Sequence, residues 1–216
     1  MRIDIYSDTV CPWCYLGKRR FDLALAARPQ YEPVVTWRPF ELNPDLPSDG
    51  LDRETYMAAR MPDQAQLAET HGELERQGAG SGIRFRFDLI KRIPNTRRSH
   101  LLIAYAARSG LQGPVKERIM RAYFEEGCDI ADPEELVRLG AEAGLNAAQA
   151  RNVLILRAGQ DGVVAAERHA SVLGITGVPA YVFDGQYTIS GAQDAAVFAR
   201  VFDQVADFAA ARGAAR

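Results

Sequence analysis

Cys11-Pro12-Trp13-Cys14 decides how the chain is read. It follows a short β-prone run, Ile3-Asp4-Ile5-Tyr6, and precedes a helical pattern carried by Tyr15, Leu16, Phe21, Leu23 and Leu25. Two cysteines separated by two residues can close on each other, and at a βα junction that spacing reads as a thioredoxin-like redox centre. Pro12 falls where a helix tolerates proline best, in the first turn, because its missing N–H would be unpaired there anyway. The helix is expected to run to Arg28 and stop at Pro29, and Val34-Val35-Thr36-Trp37-Arg38-Pro39-Phe40 reads as a second strand. Strand, helix, strand makes a βαβ opening.

The chain has 216 residues, 47% of them hydrophobic, enough to build a core without disulfide staples. Its net charge is -2 with both signs scattered, which argues against a nucleic-acid or membrane-surface partner. No run of about 18 apolar residues marks a membrane span, and no apolar signal segment follows Met1-Arg2, so a cytoplasmic location is expected. Three cysteines are too few for a disulfide scaffold in such a chain. Zinc needs four ligands, and Cys128 and the three histidines are dispersed, so no metal site is expected.

From Asp52 to about Leu173 the pattern is helical. Asn43 to Gly50 is a turn-rich loop, Asp63 to Arg76 a polar helix, and Ile83-Arg84-Phe85-Arg86-Phe87 a short alternating stretch. Asn95, Asp132-Pro133 and Asn146 mark further helix starts. Ala180-Tyr181-Val182-Phe183 and Tyr187-Thr188-Ile189-Ser190 then flank Asp184-Gly185-Gln186, a hairpin signal. An amphipathic helix from Ala195 to Ala211 follows, with the Ala-rich tail Ala209 to Arg216 expected to fray. The fold class is therefore α/β: a thioredoxin-like βαβ…ββα unit over residues 1–51 and 161–216, interrupted by an all-helical domain over residues 52–160.

The chemistry concentrates on Cys11. At a helix N-terminus the free N–H groups and the dipole favour an anion, so its pKa is expected below the ordinary thiol value of about 8.5. Cys14, one turn further in, can attack a mixed disulfide formed at Cys11. Thr176-Gly177-Val178-Pro179 precedes a strand; a cis Val178–Pro179 bond would set the Val178 backbone beside Cys11, available to an extended substrate. Pro12 and Trp13 add a contact surface. His100 is a weaker candidate, a cation facing the thiolate. Asp8 could serve in proton transfer, whereas Trp37, Phe40 and Tyr181 read as core and Cys128 as a spare thiol.

The segments Cys11-Pro12-Trp13-Cys14-Tyr15-Leu16-Gly17, Ile93-Pro94-Asn95-Thr96 with His100, Tyr123-Phe124 with Asp129-Ile130, and Gly174 to Pro179 through Ser190-Gly191-Ala192-Gln193 resemble the DsbA family. The likeness points to its FrnE-like branch, often labelled polyketide-biosynthesis dithiol-disulfide isomerase, and covers nearly the whole chain. It implies Cys11 as nucleophile, Cys14 as resolving cysteine, Pro179 in cis, and no cofactor beyond the Cys11–Cys14 couple. Expected partners are thiol or disulfide proteins or small molecules, with glutathione as a candidate reductant; the oligomeric state is open. A more distant likeness is to kappa-class glutathione transferases and 2-hydroxychromene-2-carboxylate isomerases. Those relatives place a serine where Cys11 stands and an acid where this chain has Ala192.

Overall fold

The structure is a computed structural model that describes residues 1–214. The central sheet has four strands in the order β2-β1-β5-β6. β1 (Arg2–Ser7) runs parallel to β2 (Val34–Pro39), with Ile3 opposite Val35 and Ile5 opposite Trp37. On its other side β1 pairs antiparallel with β5 (Ala180–Phe183), Ile5 facing Tyr181, and β5 pairs with β6 (Tyr187–Ser190). The β5–β6 turn uses Asp184 at φ 49° and Gly185 at φ 69°, the left-handed pair that the Asp-Gly sequence favours.

The period of two along each strand sorts the core into two faces. Ile3, Ile5, Tyr181 and Phe183 point to α1 (Pro12–Ala26) and the long α9 (Ala195–Ala214), where Phe21 stacks on Tyr181 and meets Phe198 and Phe202 edge-on. Tyr6, Ala180 and Val182 point the other way, toward Ala170 of α8 (Gln160–Val172). The expected fraying of the tail is not seen through Ala214, which is still helical; Ala215 and Arg216 lie outside the described residues.

Between β2 and α8 lie α2 (Arg53–Arg60), α3 (Gln64–Ala79), α4 (Arg97–Ala106), α5 (Gln112–Glu126), α6 (Pro133–Glu142) and α7 (Ala147–Leu156). This stretch is not wholly helical: β3 (Leu51–Asp52) and β4 (Arg92–Ile93) form a two-residue antiparallel ladder across its entrance. The alternating stretch from Ile83 to Phe87 is irregular backbone; its alternation records burial, with Ile83, Phe85 and Phe87 inside and Arg84 outside. α2 is not marked out in the sequence, because its apolar side chains, Tyr56, Met57, Ala58 and Ala59, follow one another in a single short run instead of recurring over several turns. Side chains of this stretch, among them Leu102, Met120, Phe124 and Leu136, belong to the same continuous core as Ile5 and Phe21.

Candidate active site

β1 delivers the chain to the site. After Ser7, the loop Asp8-Thr9-Val10 turns into α1, and Cys11 occupies the N-cap position with extended backbone (φ -88°, ψ 113°). Its carbonyl accepts the first helical N–H groups, from Cys14 at 3.0 Å and Tyr15 at 3.2 Å. Both cysteines are thiols and both are buried, Cys11 5% exposed and Cys14 1%.

The Val178–Pro179 peptide is cis, and the Cys11 Sγ donates to the Val178 carbonyl oxygen at 3.7 Å. Among the described residues, neither the N–H nor the C=O of Val178 bonds to another backbone group. Pro179 is buried against Gly17, while Val178 faces a cleft.

That cleft has a volume of about 580 Å³ and is lined by Cys11, Pro12, Trp13, Gly177 and Val178 on one side. The opposite wall comes from the inserted helices and their loops: Arg53, Tyr56, Met57, Arg60 and Met61 of the α2 region, Leu67, His71 and Leu74 of α3, then Phe87 and Phe124. Size and apolar lining are those of a small-molecule or side-chain site.

Behind the cysteines lies a buried polar hub. Asp8 is fully enclosed, and its carboxylate accepts from the N–H of Thr9 (2.7 Å), the N–H of Leu42 (2.7 Å) and Nε2 of His100 (3.2 Å). Burial alone would raise the Asp8 pKa, but the His100 hydrogen bond and charge, with Leu42 and Thr96, bring it below the usual carboxylate range. Thr9 Oγ1 and Ser99 Oγ, 2.8 Å apart, tie the same loop to α4. His100 is therefore not at the cleft, where sequence reasoning had it; it is 3% exposed and holds Asp8 from behind. Cys128 lies away from the cleft, beside Glu126.

The thiols do not ionise as the helix-dipole argument expects. A hydrogen bond with Cys14 pushes the Cys11 pKa well above the ordinary thiol range, and burial, the Cys14 charge and Asp8 add to it. For Cys14, burial works upward but is outweighed by the hydrogen bond from Cys11, Ser7 and the Lys116 ammonium, so its pKa falls. The two sulfurs therefore titrate as a linked pair, each shifting the other. Lys116, on α5, was missed. It is 1% exposed, lies 5.2 Å from the Trp37 ring centroid, and burial pulls its pKa down to about 8. Its signal was present: position 116 shares the buried face of Ile119, Met120 and Tyr123.

The sequence model of the DSBA-like thioredoxin domain family matches residues 2–203. Among curated proteins, the uncharacterized protein YwbO of Bacillus subtilis (strain 168) is 30% identical over 199 residues, 92% of this chain and 94% of the relative. Among solved structures, the probable DsbA oxidoreductase SCO1869 from Streptomyces coelicolor superposes with a TM-score of 0.87 at 37% identity, covering 95% of this chain and 89% of that one. The cytosolic disulfide reductase DsbM from Pseudomonas aeruginosa (TM-score 0.66, 19% identity, full coverage of both, 100% and 100%) shares the fold. So does a 2-hydroxychromene-2-carboxylate isomerase (0.68, 19%, coverage 96% and 99%). The chain belongs to the DSBA-like thioredoxin domain family, the thiol–disulfide oxidoreductases of the DsbA type.

Proposed function

We propose that the chain is a thiol–disulfide oxidoreductase and dithiol–disulfide isomerase in which Cys11 attacks and Cys14 resolves. One observation carries the reading: the Cys11 sulfur lies at a helix N-terminus on the wall of an apolar cleft, 3.7 Å from the carbonyl of Val178, whose main chain has no backbone hydrogen-bond partner among the described residues. A substrate disulfide R–S–S–R′ lying along Val178 presents one sulfur to Cys11. Cys11 gives up its proton, and the Cys11 thiolate then forms the mixed disulfide while R′–S⁻ leaves and takes up a proton. Cys14 gives up its proton, attacks the Cys11 sulfur and expels R–S⁻. The chain is left as the Cys11–Cys14 disulfide, and two electrons have moved to the substrate. If substrate thiols displace Cys11 before Cys14 acts, the same intermediate rearranges disulfides instead.

No cofactor beyond the cysteine couple enters this scheme, and glutathione is the proposed reductant that restores the dithiol. A cytoplasmic location, in keeping with the absence of any helix among the described residues long and apolar enough to cross a membrane, would favour the reducing direction. The division into residues 1–51 with 161–216 and an inserted 52–160 gives the labour a plan: the first unit supplies the sulfurs, the second the opposite wall of the cleft. A glutathione transferase or chromene carboxylate isomerase reading is less well supported, because Cys11 stands where those relatives carry serine and position 192 is alanine.

The test is a Cys14→Ser variant incubated with a disulfide substrate. A mixed disulfide at Cys11 should accumulate and be visible by mass spectrometry, and Cys11→Ser should neither trap nor reduce. Undiminished reduction by Cys11→Ser would overturn the proposal. The reduction potential of the couple then sets direction, near about -270 mV for a reductant and near about -120 mV for an oxidant.

A further inference from the structure

The wall that faces Cys11 has a charge pattern that the exchange chemistry does not require. Arg53 and Arg60 both line the cleft from α2, seven residues apart and therefore on one face of that helix. No aspartate or glutamate lines the cleft. Among the described residues neither arginine forms an ion pair: Arg53 reaches only Nε2 of His71 (3.4 Å), and Arg60 lies 5.9 Å from the Tyr56 ring centroid. His71 does not neutralise Arg53; it is stacked on Phe87 with ring centroids 4.1 Å apart. Other arginines of the inserted stretch are matched with acids, as Arg97 is with Glu41 and Arg118 with Glu126 and Glu142. The floor between the two cations and Cys11 is apolar, built from Met57, Leu67, Leu74 and Phe87.

We infer that the substrate is a small disulfide with an apolar body and a carboxylate, the body filling the floor and the carboxylate meeting Arg53 and Arg60. This rests on the redox reading of Cys11 and narrows it. A guanidinium fork matches a carboxylate in two hydrogen bonds; Arg53 is half-buried and offers that pair in a partly desolvated setting, while Arg60 is exposed at the rim and adds a salt-screened charge. The absence of an acid among the described residues of the cleft argues against a substrate with a free ammonium group, so oxidised glutathione, which carries two, should react more slowly. A volume of about 580 Å³ suits a drug-sized molecule. In the reaction the protein dithiol is the sole reductant: it becomes the Cys11–Cys14 disulfide as the substrate disulfide becomes two thiols, so one turnover balances without a co-reactant.

The experiment uses pre-reduced protein in single turnover against a matched pair, the disulfide of 4-mercaptophenylacetic acid and that of its carboxamide. In the acid the ring and a methylene separate the charge from the reacting sulfur, and the amide keeps the same skeleton without the charge. The acid should react at least tenfold faster per unit concentration than the amide, and raising the salt from 20 to 500 mM should shrink that ratio several-fold. In Arg53→Gln/Arg60→Gln the ratio should fall toward one. Because α2 buries no residue, the variant should fold, and the salt series tests the charge in the unaltered chain. Equal rates for acid and amide, a ratio unchanged by salt or by the variant, or oxidised glutathione reacting as fast as the acid would each overturn the inference. Failure of both aryl disulfides to oxidise Cys11 and Cys14 at all would instead overturn the redox reading beneath it.

Discussion

The sulfur of Cys11 and the carbonyl oxygen of Val178 are 3.7 Å apart although 167 residues separate them in sequence. β1 and β5 create that proximity: they are antiparallel neighbours with Tyr6 opposite Ala180, so the exit of one and the entrance of the other lie at the same end of the sheet. Any substrate bonded to the Val178 main chain is therefore aligned with the sulfur before exchange begins, which converts part of the cost of bringing two sulfurs together into a property of the fold.

The two thiols should be strongly interdependent. Cys14 is the largest cause of the high Cys11 pKa, so Cys14→Ser should lower the ionisation midpoint of Cys11 relative to the dithiol's second step. Cys11→Ser removes the thiol donor that lowers Cys14, so the remaining thiolate should form at higher pH than the dithiol's first step. Thiolate absorbance near 240 nm followed against pH reads both. Two single variants that titrate alike, at the ordinary thiol midpoint of about 8.5, would show that the sulfurs do not communicate.

Gly17 sets how closely α1 approaches the Val178–Pro179 segment. A Cβ there would lie 2.5 Å from Tyr181 Oη and 3.1 Å from Pro179 Cγ. Alanine in a helix is ordinarily preferred over glycine by about 1 kcal/mol, but this clash should reverse the sign, with Gly17→Ala destabilising by about 1–3 kcal/mol. The Tyr181 hydroxyl is buried with no partner, so Tyr181→Phe should stabilise by about 1 kcal/mol and relieve the clash in the double variant. Urea denaturation of the four proteins measures the coupling; strict additivity would show that Gly17 and Tyr181 do not compete for one space.

The sheet, the Asp184-Gly185 hairpin and the pairing of Cys11 with Val178 were legible because each leaves a short local signal: alternation, a left-handed turn pair, a CxxC before a helix and a proline before a strand. The opposite wall was not. α2 buries no residue in the core and turns its apolar side chains, Tyr56 and Met57, to the cleft, and Arg53 and Arg60 read as ordinary surface charges until the fold sets them across from Cys11. The Cys11 ionisation was misread for a related reason. The helix end is visible in sequence, but the Cys14 hydrogen bond, the burial and the Asp8 charge that raise the Cys11 pKa come from packing. His100 is expected from sequence to face the thiolate, but the tertiary register of α4 turns it to the buried Asp8 carboxylate instead, a distinction no local signal carries.

Lys116 should be a liability to the fold that the site tolerates. Its ammonium loses its proton near pH 8 in the native state, against about 10.5 unfolded. Below pH 8 the native chain carries the full cost of a buried cation; between the two values the unfolded chain binds more protons and native stability rises with pH. The gap of about 2.5 pH units corresponds to at most about 3 kcal/mol. Lys116→Met should therefore be more stable at pH 7 by about 1–3 kcal/mol, with the gain shrinking toward pH 10. It should also raise the pKa of Cys14, which the ammonium lowers. Chemical denaturation at the two pH values decides, and a variant less stable than the parent at pH 7 would mean the ammonium is net favourable where it lies.

Glu167 and Glu41 supply a second pH window, on the side of the sheet facing α8. The Glu41 N–H donates to Glu167 Oε1 at 3.1 Å, and the Glu41 carboxylate, fully enclosed, is held by Arg97. With its cation already engaged, Glu41 leaves Glu167 facing a like charge; burial and that charge push the Glu167 pKa up to about 7, from 4.5 unfolded. Between those values the native state binds more protons than the unfolded chain, so stability falls as pH rises through the window and stays low above it. Glu167→Gln keeps an oxygen for the Glu41 N–H and can donate its amide to the Glu41 carboxylate, while removing the repulsion. Because Glu167 is partly solvated, the gain should be about 1 kcal/mol at pH 8, well under the unscreened figure, and should vanish by pH 5, where Glu167 is protonated in the native state. Glu41→Gln should behave oppositely, since it removes the carboxylate that Arg97 pairs with. A Glu167→Gln gain that is the same at pH 5 and pH 8 would show that the carboxylates do not repel, and that Arg97 neutralises both.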